Sequence, residues 1–160
     1  MIMKVIFCDI DGILNSSRSW WANNGLLPDS PTDLQFDPIA IKLVQRLCKE
    51  TGAVCVLSSS WRYSWTHEEL GKNLNIPFID STPKSLSYRQ RGNEIKEWLE
   101  DNVDKLGITH YCIIDDVDET LEEQQKHFVH VGMYDGLGYQ DVLKAYRILM
   151  QDDYDIRDKL

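Results

Sequence analysis

Short apolar runs of strand length alternate along the chain with longer segments whose apolar residues recur at helical spacing. The runs at residues 4–8, 53–57 and 110–114 are rich in β-branched and aromatic residues and stop at polar residues, which is typical of buried strands. Residues 127–131 predict a fourth strand and residues 76–79 a minor one. Because strands that alternate with helices form parallel sheets covered on both faces, the pattern predicts an α/β fold.

The helices carry signals at their ends. Asp37 and Pro38 predict the N-cap and first residue of a helix that ends at Gly52. Thr66 and Glu69 form the capping-box pattern of a short helix. Later helical periods begin near residues 95 and 142. The apolar face expected for the first of these helices consists of Ile39, Leu43, Val44 and Leu47.

The segment between the first strand and Asp37 is irregular. Its Asn-Asn-Gly sequence at residues 23–25 predicts a hairpin turn between Trp20-Trp21 and Leu26-Leu27. Such a hairpin would form a small flap over the carboxyl end of the sheet.

Size and composition narrow the class of protein. A chain of 160 residues with 42% hydrophobic residues fits one compact domain, and no apolar stretch is long enough to span a membrane. The N-terminus lacks the pattern of a secretory signal, so a cytoplasmic protein with buried, reduced cysteines is expected. The net charge of -9 argues against a broad basic surface for duplex nucleic acid, although it allows a local basic cleft.

Chemically capable residues follow three of the predicted strands: Asp9 and Asp11 the first, Ser58 the second, Asp115 and Asp116 the third. The carboxyl ends of parallel strands lie along one edge of a sheet, so these side chains should converge. Clustered carboxylates repel one another unless a cation is present. Mg²⁺ prefers one or two carboxylates, water and substrate phosphate oxygens, so the expected cofactor is Mg²⁺ and the expected substrate carries a phosphate.

The same residues resemble the motifs of the haloacid dehalogenase superfamily of phosphohydrolases. The segment from Asp9 to Asn15 (DIDGILN) resembles the first motif, Ser58 the second, and Ile113-Ile114-Asp115-Asp116 the fourth. More narrowly, the segments SSSWR at 58–62, Thr82-Pro83, RGNEI at 91–95 and Gly136-Leu137 are similar to the phosphatase-like domains associated with RNA repair proteins. The resemblance implies a single domain over residues 1–160 with a Rossmann-like parallel sheet, helices on both faces and a minimal cap.

The resemblance also implies roles. Asp9 would be the nucleophile that forms an aspartyl-phosphate, and Asp11 the acid that protonates the leaving oxygen and then the base that activates water. Mg²⁺ would be held by Asp9, by the backbone carbonyl of Asp11, and by Asp115 or Asp116. Ser58 would bind a phosphoryl oxygen.

The third motif of the family supplies a cation, and either Arg91 or Lys84 could serve as that cation here. The family usually has a lysine there. Arg91 is favoured because it precedes the helix that leads into the Asp115 strand.

The segments that follow the first and second motifs are too short for a large cap, so the site should be open. Arg18, Ser59 and Arg62 lie in these segments and are expected to contact substrate. An open site suits the 3′-phosphate of a polynucleotide end, whereas the acidic net charge suits a nucleotide or another small phosphate ester.

Other classes fit less well. A calcium loop needs a third ligand and a later glycine that this DxDG segment lacks. In phosphoacceptor receiver domains the adjacent acid pair follows the first strand, whereas here it comes late. A catalytically weak phosphate-binding module would not need both Asp9 and Asp11.

Overall fold

The computed structural model describes residues 2–22, 36–84, 90–152 and 156. Its strands and helices alternate, as the hydrophobic pattern predicts. The described residues also contain two short 3-10 helices, at Ser60–Tyr63 and Glu122–His127. In chain order the elements are β1 (Met3–Cys8), α1 (Ser17–Ala22), α2 (Pro38–Thr51), β2 (Ala53–Leu57), α3 (His67–Leu74), β3 (Phe78–Ser81), α4 (Gln90–Leu106), β4 (Ile108–Asp115), β5 (Phe128–His130) and α5 (Tyr139–Leu149).

Within the described residues, the five strands form one parallel sheet in the order β3-β2-β1-β4-β5. The central strand, β1, is paired with β2 and β4 so that Cys8 lies opposite Leu57 and Ile114. The three strands therefore end at the same level. Backbone hydrogen bonds continue one residue further, from Asp9 N to Ile114 O (3.1 Å) and from Ser58 N to Cys8 O (3.0 Å).

Alternation along β1 divides the core into two layers. Ile6 and Cys8 belong to an apolar cluster that includes residues of α2, α3 and α5. Val5 and Phe7 belong to a second cluster built with α4. The α/β fold with helices on both faces of a parallel sheet is thereby confirmed.

The predicted helix ends are present. The Asp37 carboxylate accepts a hydrogen bond from Ile39 N (2.9 Å), and Gly52 closes α2 with φ +71°. Thr66 and Glu69 form both bonds of the capping box. The prediction for the apolar face of α2 is wrong at Ile39, whose side chain is 64% exposed.

The prediction that Trp20-Trp21 form the first strand of a flap hairpin is wrong. Trp20 and Trp21 lie in the short helix α1, whose first turn is fixed by Ser16 N donating to Ser19 Oγ (2.8 Å) and by Ser19 N donating to Ser16 Oγ (3.1 Å). This reciprocal serine pair stabilises a helical turn where the sequence was interpreted as extended. The predicted turn at residues 23–25 and its second arm lie outside the described residues.

The minor strand lies two residues later than predicted. Phe78 N bonds to Ile76 O (2.8 Å) in a turn, and the strand runs over Phe78–Ser81. The prediction of buried, reduced cysteines is confirmed for Cys8, Cys48, Cys55 and Cys112. No helix in the described part of the chain is long and apolar enough to span a membrane, and the cytoplasmic location stays a prediction.

Candidate active site

The carboxyl edge of the sheet gathers three acidic side chains. Asp9 follows β1, Asp115 ends β4, and Asp116 comes next in the chain. Each offers a carboxylate oxygen, and these oxygens all lie within 4.8 Å of one another. Asp9 and Asp115 are buried, at 7% and 2% exposure. The predicted convergence of the first and fourth motifs is therefore observed.

Gly12 allows the first loop to fold onto this cluster. Its φ of +78° is one that residues with a Cβ rarely adopt, and a Cβ at this position would collide with the Asp116 carboxylate. The loop is also held from the other side, where Leu137 N donates to Ile13 O (3.0 Å). A glycine is thus required for Asp116 to lie against the first motif.

The cation beside the cluster is Arg91, near the start of α4. Its Nη1 lies 3.6 Å from Asp9 Oδ1 and 3.3 Å from Asp115 Oδ2. The same nitrogen donates to Ser58 Oγ at 3.5 Å, which brings the second motif into the site. The other candidate, Lys84, has its Nζ 4.5 Å from the centre of the Tyr63 ring. Among the described residues, the ion pairs to Asp9 and Asp115 come from Arg91.

The electrostatics of the cluster favour a bound cation. Burial raises the pKa of Asp9 to about 6, although Arg91 and a hydrogen bond from Ser59 act in the opposite direction. Burial and the neighbouring Asp9 raise the pKa of Asp115 to about 8. Both shifts mean that the anionic forms are disfavoured, mainly by burial and, for Asp115, also by the neighbouring carboxylate of Asp9. Three convergent carboxylates supply the hard oxygen donors that fit a divalent cation such as Mg²⁺.

Asp11 lies at the exposed side of the cluster. Its Oδ1 accepts hydrogen bonds from Trp61 Nε1 and from Asn15 Nδ2, each at 2.9 Å. Asp11 also lines an open groove of about 340 Å³ together with Asn15, Ser16, Ser17, Trp20, Asp116 and Met133. The Asp11 carboxylate therefore shares the groove with Asp116 and is exposed to the solvent from which a substrate arrives.

The three residues expected to contact substrate have partners within the protein. Ser59 is fully buried, bonds Asp9, and accepts from Trp61 N (3.3 Å). Arg62 forms a 2.7 Å ion pair with Glu94, and both side chains are almost completely buried. Arg18 pairs with Asp37 at 2.9 Å and is half exposed. Of these three, the structure brings only Ser59 into direct contact with Asp9.

The hydrogen-bond and ion-pair partners of Trp61, Asn15 and Glu94 were not predicted from the sequence. Trp61 and Asn15 bond the carboxylate of Asp11, and Glu94 neutralises Arg62. For Asn15 the four-residue spacing from Asp11 was a usable signal. For Trp61 there was none, since it lies 50 residues from Asp11.

The fold and the site define a class: a parallel α/β protein with carboxylates, a serine hydroxyl and an arginine gathered at the carboxyl edge of its sheet. The chain belongs to the haloacid dehalogenase family, because residues 5–142 match the family model described as the HAD domain in Swiss Army Knife RNA repair proteins. Comparisons with curated proteins and with solved structures found no match. The suspected resemblance is confirmed, and the family together with the acidic cluster indicates a hydrolase that acts on a phosphorylated substrate with a divalent metal.

Proposed function

We propose that this protein is a Mg²⁺-dependent phosphomonoesterase that works through an aspartyl-phosphate on Asp9. The observation that carries the proposal is the placement of the Asp9 carboxylate at the end of the central strand, next to Arg91, Asp115 and Asp116. A pKa of about 6 leaves Asp9 mostly ionised at neutral pH, as a nucleophile must be.

In the first step an oxygen of Asp9 attacks phosphorus and the ester P–O bond breaks. The leaving oxygen takes the electron pair of that bond together with a proton from Asp11, so that an alcohol departs. Arg91 and the Ser58 hydroxyl lie beside Asp9, where they can bind the phosphoryl oxygens as charge moves onto them.

In the second step a water molecule attacks the phosphorus of the aspartyl-phosphate. Asp11, now ionised, accepts a proton from that water, and the bond between phosphorus and the Asp9 oxygen breaks. Inorganic phosphate leaves, the Asp9 carboxylate is restored, and Asp11 is again protonated.

Mg²⁺ would be held by Asp9, by the backbone carbonyl of Asp11 and by Asp115 or Asp116, and when bound it would neutralise the carboxylates and polarise the phosphoryl group. Neighbouring residues of the protein orient the carboxylates. Ser59 and Arg91 hold Asp9 in place, and Val117 N donates to Asp115 Oδ1 (3.0 Å), which fixes the orientation of that carboxylate.

For the substrate we propose the phosphate at an RNA end. The family description supports this class of substrate. The open groove at Asp11 supports it too, because the leaving group must lie next to the acid and an open groove leaves room for a large one. Trp20, which lines that groove, is 42% exposed and offers an aromatic face for a base.

A small phosphate ester such as a nucleotide is the second candidate. The net charge is -9, and the arginines expected to grip neighbouring phosphates, Arg18 and Arg62, are each paired with a carboxylate of the protein. A chain that binds a long polyanion would be expected to keep more cations available.

The experiment is a panel of substrates assayed for released phosphate with and without Mg²⁺: nucleotides, a nitrophenyl ester, and oligonucleotides with a 3′- or 5′-phosphate. We expect hydrolysis only with the metal, a higher kcat/KM on one class of oligonucleotide end, and no measurable turnover for Asp9→Asn. A higher kcat/KM on nucleotides would favour the second candidate. Undiminished turnover in Asp9→Asn would exclude the proposed nucleophile.

A further inference from the structure

The carboxylate of Asp11 is held through only one of its oxygens. Trp61 Nε1 and Asn15 Nδ2 both donate to Oδ1, each at 2.9 Å. In the part of the chain that the structure describes, no hydrogen bond reaches Oδ2. Because two donors occupy the lone pairs of Oδ1, the proton of the neutral acid is favoured on Oδ2.

Both donors are themselves fixed. Asn15 Oδ1 accepts from Gly12 N (2.9 Å), and this bond turns the amide nitrogen toward Asp11. The indole of Trp61 packs against Phe36, with the ring centres 5.4 Å apart and the planes at 50°. Phe36 is buried, and Trp61 N is bonded to Ser59 Oγ. The two groups that hold Asp11 therefore cannot easily follow it if it rotates.

We infer that Trp61 is a positioning residue that directs the protonated oxygen of Asp11 toward the leaving group. This inference rests on the proposed function, in which the ester P–O bond breaks as the leaving oxygen receives the proton of Asp11. The Trp61 indole itself takes no proton and touches no substrate atom. It limits the rotation of Asp11, so that Oδ2 carries the proton in the first step and accepts one in the second.

Trp61 also connects this acid to the loop that binds the phosphoryl group. It lies in the 3-10 helix Ser60–Tyr63, directly after Ser58 and Ser59, whose side chains contact Arg91 and Asp9. One short segment thus sets the position of the phosphoryl-binding hydroxyl and the orientation of the proton donor.

Trp61→Phe tests the inference, because it keeps an aromatic ring against Phe36 and deletes the indole N–H. A nitrophenolate departs without a proton, whereas an alkoxide needs one, so the two kinds of ester should respond differently. We expect kcat/KM for glycerol phosphate to fall about tenfold, mainly through kcat, and kcat/KM for a nitrophenyl ester to fall less than about twofold. Trp65→Phe is the matched control, since Trp65 lies on the same side of the site and makes no bond to Asp11. This control should lower kcat/KM for the two esters equally and only slightly.

A second measurement detects the hydrogen bond between Trp61 and Asp11 without relying on catalysis. The indole N–H resonance of Trp61, assigned among the five tryptophans with Trp61→Phe, should shift in Asp11→Ala, while that of Trp65 should move much less. Equal losses on both esters in Trp61→Phe, no loss on either, or an unmoved Trp61 resonance would overturn the positioning role and leave the proposed function intact. If the unmodified protein releases phosphate from neither ester, the proposed function fails and the inference fails with it.

Discussion

At the scale of single residues, Arg91 is, among the described residues, the one whose side chain connects the most groups of the site. One nitrogen lies within 3.6 Å of Asp9 Oδ1, Asp115 Oδ2 and Ser58 Oγ, on a side chain that is 17% exposed. The negative charge around it raises the pKa of the guanidinium despite burial, so the cation is permanent. A fixed positive charge at this point can stabilise charge that develops on a transferring phosphoryl group.

We therefore expect Arg91→Ala to lower kcat by about 10²–10³ in the presence of Mg²⁺, as is typical when one fixed donor to a transition state is removed. Lys84→Ala should change kcat by a small factor, because Lys84 is exposed and its amine contacts Tyr63. Steady-state kinetics of both variants on a nitrophenyl ester make the comparison. The reverse order would assign the third motif to Lys84.

At the scale of secondary-structure elements, the sequence was sufficient for the strands that carry the site. β1 and β2 end one residue before Asp9 and Ser58, and β4 ends at Asp115, because buried apolar runs give way to polar residues at those points. The partners of the arginines could not be predicted. Arg18 and Arg62 are 19 and 32 residues from the acids they meet, and only the tertiary fold brings Arg18 to the N-cap of α2 and Arg62 to α4. The helix at Trp20-Trp21 was missed because its stabilising serine pair has no strong periodic signal.

The pair formed by Arg62 and Glu94 joins the segment after β2 to the first turns of α4. Arg62 Nη1 also donates to Ser59 O (2.7 Å), so α4, which carries Arg91, is tied to the loop that carries Ser58 and Ser59. Inside the protein, such a pair is costly to break from one side, because the remaining charge has no partner.

Glu94→Ala should accordingly lower the free energy of unfolding by about 3–5 kcal/mol, since it leaves the buried Arg62 guanidinium without its carboxylate. Glu97→Ala on an exposed position of the same helix is the control, with an expected change within about 0.5 kcal/mol. Urea denaturation measures both values. A Glu94→Ala protein as stable as the control would show that the pair does not hold α4 in place.

At the scale of the whole molecule, the acidic cluster should cost stability when no metal is bound. The pKa of Asp115 is raised to about 8 and that of Asp9 to about 6, so between the ordinary carboxyl pKa and these values the folded chain binds more protons than the unfolded chain. Stability from this source is present at low pH and is lost as the pH rises toward about 8.

In a chelator, Asp115→Asn should therefore have a higher Tm than the unmodified protein near pH 8, and the difference should shrink toward about pH 5 as the carboxyl group protonates. Added Mg²⁺ should raise the Tm of the unmodified protein more than that of the variant. Each kcal/mol corresponds to about 2–4 °C in a chain of this size, which is within reach of thermal denaturation. A Tm difference that does not depend on pH or on Mg²⁺ would mean that the cluster is not a source of strain that a cation relieves.

Phosphorylation of Asp9 during turnover can be detected by acid quenching followed by mass spectrometry. The unmodified protein and Asp11→Asn are mixed with a nitrophenyl phosphate and Mg²⁺, denatured in acid during turnover, and mapped by fragmentation. We expect one phosphoryl group on Asp9, and a larger phosphorylated fraction in Asp11→Asn, because the base for the second step is missing while a nitrophenolate still departs. Turnover without a phosphorylated protein, or a phosphoryl group on a residue other than Asp9, would contradict the proposed role of Asp9.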